Sequence, residues 1–197
     1  MRSWHRSSAL LLFMAMANAT VGQSPANKTI ARNVATQRAY ELTLAGLRPG
    51  RDSVARAKLL NQRVDPKSVT HDTQTVWLDV CRNQVLAVDF DAEQTIQVIR
   101  AASNSGSSSH CSTPSPNAWR TGRGLGVGDA ASKLLSLYGE PDSRSPSTKG
   151  GQPLELWYYA FDWAGANVPQ VMEVLCTVGS GGQPGRVVEI TLAAPSL

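Results

Sequence analysis

The chain has 197 residues, 42% of them hydrophobic and 17% charged, with 19 basic and 15 acidic side chains. That length suits one or two small domains with a packed core. The basic excess does not point to nucleic acid. Arg2 and Arg6 belong to an N-terminal export segment whose removal leaves a net charge of about +2, and no Lys/Arg run or RNA-binding aromatic signature follows.

Residues 1–19 read as a signal peptide. Arg2 and Arg6 make a basic region, 8–17 an apolar one, and Ala17-Asn18-Ala19 is a small-x-small cleavage site, so the mature chain is expected to start near Thr20. The apolar run is too short to span a bilayer, and no cysteine follows it to carry a lipid. The expectation is a periplasmic or secreted protein with no stable membrane anchor after cleavage. A polar, unpatterned lead-in occupies 20–43. Asn27-Lys28-Thr29 has the pattern of a glycosylation acceptor, relevant only in a eukaryotic source.

The rest of the chain contains two loosely similar stretches. Gly46-Leu-Arg-Pro-Gly50 recurs as Gly124-Leu-Gly-Val-Gly128, and each is followed by a short helical pattern and then strand-like runs. A first repeat unit is placed at 44–103. Its helix is 52–60 with Asp52 or Ser53 as N-cap, Asp65-Pro66 breaks the chain, and strands fall at 75–81, 85–91 and 95–101. A Ser/Pro linker covers 104–118. The second unit, 119–197, has Asp129 capping a helix at 130–138, Gly139 closing it and Pro141 stopping it. Strands follow at 154–163, 171–178 and 186–193. The predicted fold class is therefore α+β: two tandem units, each a short helical segment packed on a three-stranded antiparallel meander.

Gly-Leu-x-x-Gly, a short helix, Tyr-Gly-x-Pro and a meander resemble the small outer-membrane assembly lipoprotein unit (SmpA/OmlA-like). A tandem of that unit is similar to the β-lactamase inhibitory protein architecture. The match is carried by Gly128, Tyr138, Gly139 and Pro141, while the first unit keeps Gly50 but has Asn61-Gln62-Arg63 where Gly-x-Pro is expected. The resemblance transfers no binding residue, and the absent lipid-attachment cysteine departs from the lipoproteins.

Three cysteines in an exported chain suggest one disulfide and one leftover thiol. Three pairings are open. Cys81–Cys111 is favoured, because Cys111 sits on the linker and Cys176 lies in the apolar run Val174-Leu-Cys-Thr-Val178.

No catalytic, metal or cofactor site emerges. Gly126-Val-Gly128-Asp-Ala-Ala131 matches a dinucleotide loop in letters only, without a βαβ context, and reads as a glycine turn entering a helix. After signal removal only His71 and His110 remain, with no metal-ligand spacing and no Gly-x-Ser-x-Gly elbow. Asp89 and Asp91 fit solvated strand edges better than a glycosidase pair.

The informative pattern is aromatic. Read with period 2, Leu154, Leu156, Tyr158 and Ala160 share a face expected to be core, together with Met172, Val174, Cys176 and Val178 and with Val188, Ile190 and Leu192. Glu155, Trp157, Tyr159 and Phe161 share the other, with Glu173, Thr177, Glu189 and Thr191. In the first unit Val76, Leu78 and Val80 are assigned inward, and Thr75, Trp77 and Asp79 outward. An open sheet face carrying aromatic rings reads as a recognition surface. The expected function is an exported, non-enzymatic protein-binding module. Its anchors would be Trp77, Trp157, Tyr159 and Phe161, surrounded by Glu155, Glu173 and Glu189, with another protein as partner. An envelope-assembly or scaffold factor and a small secreted hydrolase are the alternatives.

Overall fold

A computed structural model describes residues 43–62, 69–104, 119–162, 169–179 and 185–194. The signal peptide, nearly all of the lead-in and most of the linker lie outside these residues.

Helix α1 is Val54–Leu60. Ser53 caps it in an extended conformation, accepting a hydrogen bond from the Arg56 amide at 3.4 Å. Val54 and Ala57 are its buried residues. Helix α2 is Ala131–Tyr138, with Ala131, Leu134 and Tyr138 buried at the spacing of one helical face. Gly139 ends it at φ 72°, where its amide donates to Leu135 O at 2.8 Å. Asp129 does not cap α2. Ala130 occupies the cap without a side-chain bond, while the Asp129 carboxylate turns back to the Gly126 amide (2.8 Å), Lys133 (2.8 Å) and Arg120 (3.0 Å).

Eight strands are described, four after each helix: β1 Val69–His71, β2 Gln74–Asp79, β3 Gln84–Phe90 and β4 Ile96–Ser103 after α1, and β5 Ser143–Lys149, β6 Gln152–Asp162, β7 Pro169–Thr177 and β8 Val187–Ala193 after α2. All neighbours are antiparallel, in the order β1-β2-β3-β4-β8-β7-β6-β5. The expected α+β class of two tandem units is overturned. The described residues form one continuous eight-stranded sheet with two short helices, a sheet-dominated fold. β4 and β8 pair with each other, Ile99 opposite Leu192 and Ala101 opposite Ile190, so the meanders meet in mid-sheet instead of each ending at an edge. β5 went unread because its sequence, SRSPSTK, has no apolar alternation. As an outer strand it buries almost nothing, and Pro146, Arg144 and Lys149 make it a poor template for further pairing.

The two glycine motifs make corresponding contacts. Gly46 and Gly124 take φ values of 76° and 86°, and Gly50 and Gly128 take 73° and 90°. Leu47 and Leu125, the leucines after the first glycine of each motif, are fully buried. The Gly50 amide donates to Ile96 O (2.6 Å) beside α1, and the Gly128 amide donates to Val187 O (2.8 Å) beside α2. The two loops are also tied to one another, since Ala45 N donates to Arg120 O at 2.9 Å and Trp119 Nε1 donates to Asn61 Oδ1 at 2.9 Å.

One core runs across both meanders. Leu44, Leu47, Ala57, Trp119, Leu125, Ala131, Leu134 and Tyr138 form a layer against the inward side chains of the sheet. Those are Trp77 on β2, Leu86 and Val88 on β3, Ile99 and Ala101 on β4, Ile190 and Leu192 on β8, Met172, Val174 and Cys176 on β7, and Trp157, Tyr159 and Phe161 on β6. No described helix is long and apolar enough to cross a membrane.

Candidate functional site

The face under the helices is the aromatic one, which reverses the sequence expectation. Trp77 is 3% exposed, Trp157 4%, and Tyr159 and Phe161 0%. Tyr138 of α2 packs on two of these rings, 6.0 Å from Tyr159 and 6.2 Å from Phe161 between centroids. Tyr159 also donates its hydroxyl to Gly139 O at 3.1 Å. The four aromatic side chains taken as anchors are therefore core, available to no partner in the folded state.

The reason lies in register. Alternation separates the two sides of most strands, but not which side is wet, and it slips in β8, where a register shift puts Val187 instead of Val188 on the covered side with Ile190 and Leu192. Trp157 pairs with Val174 and Tyr159 with Met172, so the aromatic side of β6 continues the apolar side of β7. Polar residues on the covered side misled because they are bonded locally. Glu155 accepts from Trp157 Nε1 at 2.6 Å. Asp79, 3% exposed, accepts from the amides of Cys81 (3.1 Å) and Arg82 (3.0 Å) and pairs with the Arg82 guanidinium at 3.2 Å. Arg144 lies 4.0 Å above the Trp157 ring and screens it at the β5 edge.

The predicted carboxylates are thus divided. Glu155 sits opposite Cys176 on the covered side. Burial and, next, the Glu155 charge push the Cys176 thiol up to about 12, an inert buried thiol. Cys81 is disulfide-bonded. Its predicted partner, Cys111, lies outside the described residues.

Glu173 and Glu189 stay on the open side, which the alternation assigns to Val76 and Leu78 of β2, Val85, Ala87 and Asp89 of β3, and Val98, Arg100 and Ala102 of β4. β8 adds Glu189, Thr191 and Ala193, β7 adds Val171, Glu173 and Leu175, and β6 adds Leu154, Leu156, Tyr158 and Ala160. Nearly all of the large apolar side chains here are only half-buried, and no described helix packs on them.

The face is not flat. Lys149, at the tip of the β5–β6 hairpin, reaches over to Glu189 on β8, although β7 and β6 lie between. Arg100 Nε pairs with the other Glu189 oxygen at 3.3 Å. An open pocket of ≈ 460 Å³ lies beneath this tip, lined by Ser103, Asn104, Lys149, Gly150, Gln152, Leu154 and Val188. The face is therefore a largely apolar surface with a pocket and an ion-paired wall at one end.

Elsewhere the chemistry is structural. In the glycine-rich loop the amide of Gly124 donates to Thr121 O, that of Gly126 to Asp129, and that of Gly128 to Val187 O, leaving none of the three for a phosphate. Partial burial works to raise the Asp129 carboxyl. The Lys133 and Gly126 hydrogen bonds and the charges of Arg120 and Lys133 outweigh it and hold the carboxyl below its ordinary range. Among the described residues no group of three or more His, Cys, Asp or Glu side chains could hold a metal ion. His110 lies outside them.

No family model matches the chain, and no curated protein matches it. Among solved structures it is similar to a DUF4309 family protein, YjgB, from Bacillus subtilis, at 12% identity over 85% of this chain and 96% of that one, with a TM-score of 0.43.

Proposed function

We propose that this protein is an exported, non-enzymatic protein-binding module that docks its partner on the open face of the sheet. The observation that carries the reading is the set Val76, Leu78, Val85, Leu156, Tyr158, Val171 and Leu175. These are apolar or aromatic side chains on one side of a sheet, half-buried, with no described element covering them. Leaving so much apolar surface uncovered has a solvation cost that a docked protein removes. The two sheet edges are poor alternatives. β1 has three residues, and β5 carries a proline and two cations.

Export is part of the proposal and rests on the N-terminal pattern of Arg2, Arg6 and Ala17-Asn18-Ala19. N-terminal sequencing of exported protein should start near Thr20, and recovery of Met1 would remove this part. Docking is tested by immobilising the mature protein and Leu175→Arg side by side and exposing both to the envelope fraction of the source cells. A protein held stoichiometrically by the first and lost by the second is the expected result. Identical capture by both would remove the open face from consideration.

A further inference from the structure

We propose that Tyr158 and Glu173 together form a receptor for an arginine side chain presented by an apolar stretch of the docked partner. This rests on the docking reading above and names the chemistry that the face selects.

Tyr158 and Glu173 are directly opposed on β6 and β7, on the open side. Opposed side chains on one face start about 5 Å apart, so a single ligand group can touch both. Glu173 differs from the other carboxylates of this face. Glu189 is shared by Lys149 and Arg100, and Asp89 accepts from Gln74 Nε2 at 2.5 Å. The half-buried Glu173 side chain has no ion pair or hydrogen bond among the described residues. The nearby cation, Arg100, is committed to Glu189 and sits two strands away, about 10 Å, with Thr191 between. A half-buried carboxylate loses solvation, and the described residues return none of it to Glu173.

Tyr158 completes the site. The ring pairs among the described residues join Tyr138 to Tyr159 and to Phe161, and the cations stacked on rings are Arg123 on Tyr138 and Arg144 on Trp157. The half-exposed Tyr158 ring takes no part in these. A ring beside a carboxylate offers a cation both π attraction and charge-assisted hydrogen bonds. Arginine fits better than lysine, because its planar guanidinium can lie on the ring while its fork meets the carboxylate. Leu156, Leu175, Val171, Ala160 and Ala193 surround the pair on the same face, so the residues flanking the arginine should be apolar.

The test is a titration of ¹⁵N-labelled mature protein with two synthetic peptides, Ac-Leu-Arg-Leu-NH₂ and its neutral isostere with citrulline. The arginine peptide should give saturable amide shifts centred on Tyr158 and Glu173 and bind at least fivefold more tightly than the citrulline peptide. Glu173→Gln should bring that ratio close to one. Tyr158→Leu should weaken the arginine peptide severalfold with the rest of the spectrum unchanged. Equal affinities, a preference that survives Glu173→Gln, or no saturable shift on β6 and β7 would overturn the receptor. If the receptor fails while Leu175→Arg still releases the envelope partner, docking stands and the arginine does not. If Leu175→Arg also releases nothing, both fall.

Discussion

The two faces of this sheet use apolar residues in opposite ways. On the covered face Tyr159, Phe161, Met172, Val174 and Ile190 are fully buried against Tyr138, Leu134 and Leu125. On the other, Val76, Leu156, Tyr158, Val171 and Leu175 stop half-way, interleaved with Arg100, Glu173, Glu189 and Thr191. The first arrangement stabilises the fold. The second leaves apolar area that no described element covers. Neither side is cleanly polar, so hydrophobic content alone does not separate them. What separates them, among the described residues, is whether a second layer of the same chain is present.

The contrast breaks most visibly if the aromatic rings are not core. Tyr159→Ala and Phe161→Ala should each destabilise the fold by about 3–5 kcal/mol, read as a large fall in melting temperature. Cys176 provides a second readout from the same core. With its thiol pushed up to about 12, it should resist iodoacetamide at pH 8 in the native protein and become reactive in the variants as they open. Melting temperatures within a few degrees of the parent, or rapid native labelling of Cys176, would mean that this face is not the covered one.

A smaller effect is expected at the loop that leads into α2. Asp129→Ala leaves the Gly126 amide, Arg120 and Lys133 without their shared acceptor and should cost about 1–3 kcal/mol. The pH dependence has a fixed sign. The folded Asp129 carboxyl is held below its ordinary value, so its contribution is fully present above the unfolded value of roughly 4. It is lost as the pH falls through the lowered folded value. Denaturant melts between about pH 5 and pH 2 should show a steeper loss for the parent than for Asp129→Asn. Parallel curves would remove the staple from the account of α2.

Much of the fold was legible, and the failures have specific causes. The helices and six of the strands lie within a few residues of their predicted places, because Ser53, Gly139 and the period-2 runs act locally. β5 was invisible because an exposed edge strand needs no apolar face. The β4–β8 pairing, which turns two meanders into one sheet, joins residues about ninety positions apart and leaves no local mark. The aromatic residues were assigned to the open side of the sheet, and they lie on the covered one. Glu155 and Asp79 looked like markers of solvent, yet each is satisfied within three residues of itself, by Trp157 and by Cys81 and Arg82. A carboxylate in a strand reports its hydrogen-bond partners before it reports its exposure. Of the seven residues first taken for the binding surface, Glu173 and Glu189 remain on the open side.

The smallest effects on stability belong to the open face, and there they are the most informative. Leu175→Ala removes a half-buried side chain from a surface that no described element opposes, so it should leave no closed cavity and cost about 1 kcal/mol or less. Glu173→Gln changes a charge that has no partner among the described residues, so unfolding in urea should move by about 0.5 kcal/mol or less in either direction. These near-silent results acquire meaning only beside the large loss at Tyr159, since together they would show that two sides of one strand pair serve different ends. Destabilisation by Leu175→Ala as large as that by Tyr159→Ala would reverse this reading. The open face would then be a second core closed by residues outside those described, and a partner protein would have nothing to cover.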